Sequence, residues 1–91
     1  MRFAYAESFH ATISALSRAE GVRLLRAVAK FEASWETGRF PKGLGMKHLK
    51  EEFFEFRADI HKRVLYQRHA GAIFYLLYGG HDDVQRFLKS V

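Results

Sequence analysis

Four of the five histidines, His48, His61, His69 and His81, lie in the second half of the chain among its arginines and lysines. Imidazole titrates near neutral pH, so histidine beside fixed cations suits general acid–base work on an anionic substrate. His81 is the leading candidate. It follows Gly79-Gly80 at the end of an apolar run, where a strand would aim its side chain rigidly beside a sheet face. His61 is second, in a predicted hairpin next to Lys62-Arg63. His10 falls on a first helix and reads as structural or exposed. Apart from His81, each histidine taken singly fits an exposed turn better than a site. A metal needs converging ligands of set geometry, and no histidine pair has the compact helical spacing of a zinc site. The chain has no cysteine, which excludes thiolate metal sites and disulfides. No metal or cofactor is expected.

The cations form the second constellation. From Arg39 to Arg68 eight Lys or Arg stand against four acids, Glu51, Glu52, Glu55 and Asp59. They are interleaved with Phe and Tyr in strand-like runs, and sheets hold single-stranded nucleic acid by phosphate contact plus stacking. The competing reading is an ordinary solvated surface on a basic protein. Gly79-Gly80 is not a phosphate loop, because no lysine-serine or lysine-threonine follows it. A strand end needing unusual backbone angles explains the pair better. No serine or threonine sits in a nucleophile elbow. Phe54 and Phe56 share a strand face and belong to a core, whereas Tyr66 and Tyr78, with polar tips, suit either a core or a stacking platform.

A chain of 91 residues makes one domain, here 1–91, with one modest core. Its 48% apolar and 15% aromatic content is too high for disorder. The net charge of +5 favours anionic partners: nucleic acid, an acidic protein segment or an anionic membrane surface. The N-terminal residues have no signal-peptide layout, and the longest apolar run, Ala70 to Tyr78, is strand-sized. A soluble cytoplasmic protein is the expectation.

The elements that must position these residues follow from pattern. Arg2 to Ala6 suits a first strand. Ser8 is a candidate cap for a short helix carrying Phe9, Ile13 and Leu16. Ser17-Arg18-Ala19-Glu20 is a capping box, with Ser17 as N-cap and Glu20 reaching back to its amide. Leu24, Val28, Phe31 and Trp35 then make the apolar stripe of a second helix, which Gly38 should end. Pro41, Gly43 and Gly45 argue for a loop over the basic connector from Arg39 to Lys50. Strands are predicted near 51–58, 62–68 and 72–79, joined by short hairpins as an antiparallel meander. Asp82 to Lys89 reads as a short helix with an aspartate near its start. The sum is an α+β fold: an N-terminal strand and a two-helix hairpin packed on one face of a small antiparallel sheet, with a short C-terminal helix. The other face stays partly open.

This order of elements, with Glu55-Phe56-Arg57, Lys62-Arg63-Val64-Leu65-Tyr66 and Leu76-Leu77-Tyr78-Gly79-Gly80-His81, resembles the RelE/ParE superfamily of toxins from bacterial toxin–antitoxin systems. The likeness covers nearly the whole chain through short motifs, and HigB and phage-derived members look nearest in the strand region. It implies a RelE-like, microbial-ribonuclease-like fold and a ribosome-dependent mRNA endoribonuclease that inhibits translation. Such chemistry needs no metal: a ribose hydroxyl attacks the neighbouring phosphate and leaves a cyclic phosphate. On the family's motifs, Arg63 would stabilise the phosphate, Arg57 would act alike or serve structure, and His81 would be the acid or base, with His61 in support. Lys47, His48, Lys50, Lys62 and Arg68 would contact RNA, and Phe87 matches an aromatic near the substrate base. The implied partners are an acidic antitoxin, in a hetero-oligomer, and mRNA on the ribosome, with no membrane. Two departures stand out. Lysines that several ribosome-dependent members carry on the first motif strand are here Phe53 and Glu55. Asp82-Asp83 replaces a basic pair, and carboxylates there repel RNA unless one takes part in acid–base chemistry or caps a helix. The alternatives are a ParE-like inhibitor of DNA gyrase and a non-catalytic RNA-binding module.

Overall fold

The computed structural model describes residues 1–91. In chain order it has β1 (Arg2–Tyr5), α1 (Glu7–Ile13), α2 (Arg18–Thr37), a single 3-10 turn (Lys42–Leu44), β2 (Lys47–Lys50), β3 (Phe53–Arg57), β4 (Arg63–His69), β5 (Ala72–Gly79) and α3 (His81–Lys89). The five strands form one sheet in the order β1-β5-β4-β3-β2. The meander β3-β4-β5 is antiparallel as predicted, and β1 joins it beside β5.

Four expectations are corrected. First, β1 runs parallel to β5, so the sheet is mixed. Second, the basic connector contains a strand. β2 pairs antiparallel with β3, Lys47 opposite Glu55 and His48 opposite Phe54. Lys-His-Leu-Lys has one apolar residue and no readable alternation, because an edge strand guarded by lysine carries little hydrophobic signal. Third, Glu51 and Glu52 form the β2–β3 turn, where Glu51 has a positive φ of 49°, and β3 begins at Phe53. Fourth, Ser8 is not a cap. Ala6 holds that position, and the Ser8 hydroxyl donates to the Leu76 carbonyl at 2.6 Å, tying α1 to β5.

Helix α2 begins and ends where its residues say. The Ser17 side chain accepts from the Glu20 amide at 3.2 Å, and Gly38 closes the helix in the left-handed region at φ 74°. Only half of the capping box forms. The Glu20 carboxylate instead accepts from the Tyr78 hydroxyl at 2.6 Å.

The helical face of the sheet meets α1 and α2. Phe9, Leu24, Val28 and Phe31 pack on Phe56, Val64, Tyr66, Ile73, Tyr75 and Tyr78, with Leu44 of the 3-10 turn. Phe31 is the hub, stacked on Phe56 at 4.2 Å and in contact with Tyr66 at 4.8 Å. A core built of tyrosines must satisfy their hydroxyls. Tyr75 donates to Glu32 at 2.7 Å, as Tyr78 does to Glu20, and burial followed by these carboxylates drives both phenol pKa values well up.

The Tyr66 hydroxyl is the exception. It is buried with no protein partner, and burial pushes its pKa up to about 12. Tyr66→Phe removes an unsatisfied polar group at little change in shape. It should therefore leave stability unchanged or raise it by up to about 1 kcal/mol in urea unfolding. Tyr75→Phe breaks a made bond and should cost about 1 kcal/mol.

The opposite face is covered only in part. Val84 and Leu88, four apart on α3, bury against Phe53, Leu65, Leu76 and Leu77. A bulge makes this possible. Leu65 faces Leu77 while Tyr66 faces Tyr75, so Leu76 is the extra residue and joins Leu77 in the α3 cluster.

Candidate functional site

The site lies on that second face, at the end of the sheet where α3 begins. Side chains alternate across a strand, so Glu55 of β3 points away from the core that holds Phe54 and Phe56, whereas Arg57, the last residue of β3, lies across Gly45 on the side of α2. Arg63 opens β4 on the face of Glu55, in register with Arg57 on one side and Gly79 on the other. Its Nε lies 3.0 Å from Glu55 Oε2, with the side chains 23% and 10% exposed. A nearly buried carboxylate is tolerated here because a guanidinium answers it. Lys47 stands opposite Glu55 on the next strand.

The head of α3 completes this end. His81 is the first residue of α3, exposed and without a hydrogen bond. A helix start, rather than the strand end that was expected, carries it. The Gly80 amide donates to Asp83 Oδ2 at 2.9 Å, and a Cβ on Gly79 would lie 2.8 Å from the same oxygen. Glycine is needed at position 79 for space, not for unusual backbone angles, since neither Gly79 nor Gly80 has a positive φ.

Asp83 is therefore a capping group. Chiefly the Gly80 amide, then Arg86 and Lys62, hold its carboxyl below the usual carboxylate range, against a smaller opposing effect of burial. A carboxyl lowered on folding stabilises above its unfolded pKa, and that contribution disappears as pH falls through the folded pKa. Asp83→Asn should thus lower Tm at neutral pH, and its deficit should shrink below about pH 4. A deficit independent of pH would remove the charge from the account.

His61 reaches the same end. It sits in the β3–β4 turn, where its amide and that of Lys62 both donate to Asp59 Oδ1 at 2.8 and 2.9 Å. Its carbonyl lies 3.6 Å from where a Cβ on Gly80 would be. Lys62 Nζ stands 5.7 Å from the Tyr78 ring centre. His61, Lys62, Arg63 and His81 are thus gathered around the head of α3, with Arg57 beside Arg63 in register but its side chain across Gly45.

Two clefts flank α3 further along. One, of about 370 Å³, runs between β2 and α3 and is lined by Lys47, His48, Lys50, Gln85 and Lys89. Lys50 Nζ donates to the Leu88 carbonyl at 2.9 Å, holding the edge strand to the helix end. The other, of about 500 Å³, lies on the α1 side and contains Thr12, Tyr78, Asp83, Arg86 and Phe87. Phe87 therefore sits in a different cleft from the lysines. Two candidates are turned to the helical face. The Arg68 guanidinium lies 4.8 Å from the Trp35 ring centre and 5.9 Å from that of Phe54. The His48 ring rests 4.8 Å from Phe54 and donates to the Glu51 carbonyl at 2.8 Å.

The sequence reading missed three members of this surface. Glu55 counted there as a lost lysine, although its place between Phe54 and Phe56 already sends it to the face of Arg63. Gln85 and Lys89 lie on the α3 flank four apart, a spacing visible in the sequence but meaningless until β2 is placed. No three His, Asp or Glu side chains converge as ligands would. A carboxylate paired with an arginine, two imidazoles and further cations around an open face can bind a phosphate and move protons beside it.

No protein-family model matches the sequence, and no curated protein sequence does either. Solved structures do match. A metal-bound toxin from Helicobacter pylori superposes with a TM-score of 0.69 at 14% identity, over 92% of this chain and 98% of that one. YafQ from E. coli gives 0.67 at 8% identity over 92% and 98%. RelE in the RelB-RelE antitoxin-toxin complex from Methanococcus jannaschii gives 0.67 at 10% over 92% and 96%. At such identities the shared property is the fold, and this chain has the α+β fold of the RelE- and YafQ-type toxins.

Proposed function

We propose that this chain is the toxin of a toxin–antitoxin pair, and that it cleaves mRNA on the ribosome without a metal. The observation that carries the reading is the Arg63–Glu55 pair, 3.0 Å apart and largely buried on the sheet face at the head of α3, with the arginine the more exposed partner. The reaction asks for a base to take the ribose 2′-hydroxyl proton and an acid to protonate the departing 5′-oxygen. It also asks for cations at the phosphorane. The 2′-oxygen–phosphorus bond forms, the phosphorus–5′-oxygen bond breaks, and the products are a 2′,3′-cyclic phosphate and a 5′-hydroxyl. In this reading Arg63, supported by Arg57, neutralises the phosphorane. His81 and His61 serve as the imidazole acid and base, and Glu55 orients Arg63 and offers a second base. Lys47, Lys50 and Lys62 hold RNA phosphates, and Phe87 stacks on a base. His48 and Arg68, engaged with rings on the helical face, take no part in cleavage. The net charge of +5 suits an acidic antitoxin that covers this face in a hetero-oligomer, in the cytoplasm. The HigB-like subtype rests on the strand motifs alone. No helix is long and apolar enough to cross a membrane.

A second reading, a non-catalytic RNA-binding module, draws on the His81 ring, which no partner orients. Induction of the chain in bacteria without a partner, with mapping of mRNA ends, separates the two. Growth arrest with new ends inside translated codons, relieved by His81→Ala in a soluble variant, supports the nuclease. Arrest with DNA-damage signalling and no new ends favours gyrase inhibition. Soluble expression without arrest favours the binding module.

A further inference from the structure

A cleft beside this site shares Arg57 with it and holds three further cations that the cleavage reaction does not use. About 280 Å³ in volume, it lies between α2 and the 3-10 turn and is lined by Arg23, Arg26, Lys30, Gly43, Leu44 and Arg57, with Ala27 and Ala58. Arg23, Arg26 and Lys30 recur at three and four residues, so they share one stripe of α2, beside the buried stripe of Leu24, Val28 and Phe31. Lys30 Nζ would lie 3.8 Å from a Cβ on Gly43, which puts the ammonium over the glycine backbone of the turn. Gly45, at φ +60°, lets Arg57 lie flat across it, with Nε and Cζ 3.4 and 3.5 Å from its Cβ position. The four cations meet no carboxylate in the lining. Outside the lining, Asp59 pairs with Arg23 at 3.7 Å, which leaves Arg26, Lys30 and Arg57 without an ion pair. Two of the acids of α2 are used elsewhere, Glu20 on Tyr78 and Glu32 on Tyr75.

Three unpaired cations beside Arg23 repel one another, and an anion relieves that repulsion. Arginine forks match phosphate oxygens in pairs, and a groove this size admits a phosphate with its sugar. The cleft also has a direction. Arg57 lines it and stands in register with Arg63, so cations lead from the head of α3, past the end of β3, to α2. A succession of cations in one direction fits a continuous polyanion. We infer that this cleft binds the phosphate backbone of RNA flanking the segment held at Arg63, extending the footprint onto α2. The inference rests on the RNA-cleaving reading only in taking Arg63 to hold RNA.

The test uses the full chain and a fluorescent 20-nucleotide 2′-O-methyl RNA, whose blocked hydroxyl prevents cleavage. Arg26→Gln/Lys30→Gln should weaken binding about tenfold near 0.1 M salt and reduce the salt slope by about 1.4, two phosphates at about 0.7 each for single strands. Its Tm should equal or exceed that of the unaltered chain, because repulsion is relieved. Unchanged affinity and slope would overturn the inference. So would unchanged RNA binding with lost binding of polyglutamate, which would assign the cleft to an acidic peptide. If the unaltered chain cuts no translated mRNA but the double variant still loses RNA affinity, the cleft stands and the nuclease reading falls.

Discussion

Arg63→Gln is expected to reduce RNA cleavage by about 10²- to 10³-fold, the usual loss when one preorganised donor to a developing charge is removed. The structure adds a complication, because Arg63 has a structural partner. Glu55 is nearly buried, and Arg63→Gln leaves its carboxylate facing a neutral amide. Stranding a buried charge costs up to about 3–5 kcal/mol, and the partial exposure of this pair brings the expectation to about 1–3 kcal/mol. Low activity alone would thus confuse a lost donor with a lost fold. The cycle of Arg63→Gln, Glu55→Gln and the double variant separates them. The double variant should recover most of the stability in urea unfolding and none of the activity. Glu55→Gln alone frees the guanidinium, so RNA affinity should hold or rise. If Glu55 is also the base, cleavage falls by a further factor with that affinity intact. Recovery of cleavage in the double variant would sink the assignment of Arg63 to the phosphate.

Phe31→Ala should produce the largest loss of stability. Its ring is fully buried, stacked on Phe56, and also meets Phe3, Trp35, Tyr66 and Tyr75. Removing such a ring costs about 3–5 kcal/mol, since the aromatic neighbours cannot all collapse into the space. A domain of this size has a total stability of about 5–10 kcal/mol, so the variant should be partly unfolded at 37 °C. Tm should fall by about 15–30 °C. Leu25→Ala, on the same helix but 68% exposed, is the control and should change stability by less than about 0.5 kcal/mol. A Tm for Phe31→Ala within a few degrees of the unaltered chain would mean that the aromatic cluster does not hold the helices to the sheet.

The sequence by itself determined whatever depends on near neighbours in the chain. Leu24, Val28 and Phe31 repeat at the helical period, so α2 and its buried stripe were legible, as were its Ser17 start and Gly38 stop. The runs of β4 and β5 were legible from their aromatic and β-branched content, and the short links between them made a meander the simplest pairing. The gathering of Arg57, Arg63, His61 and His81 at one end of the sheet was legible to the extent that hairpins bring strand ends together. The tertiary structure alone decided the rest, because it depends on groups far apart in sequence. β2 is a strand only because β3 offers it hydrogen bonds, since Lys-His-Leu-Lys buries too little to declare itself. Arg68 was turned from a candidate RNA contact into a packing group by Trp35 of α2, whose ring lies 4.8 Å from its guanidinium. Glu55, which as a residue type counts against RNA binding, acquired its meaning from an arginine on the next strand. A periodic face can be read locally, but a charge pair across strands exists only when register, twist and covering helix are all in place.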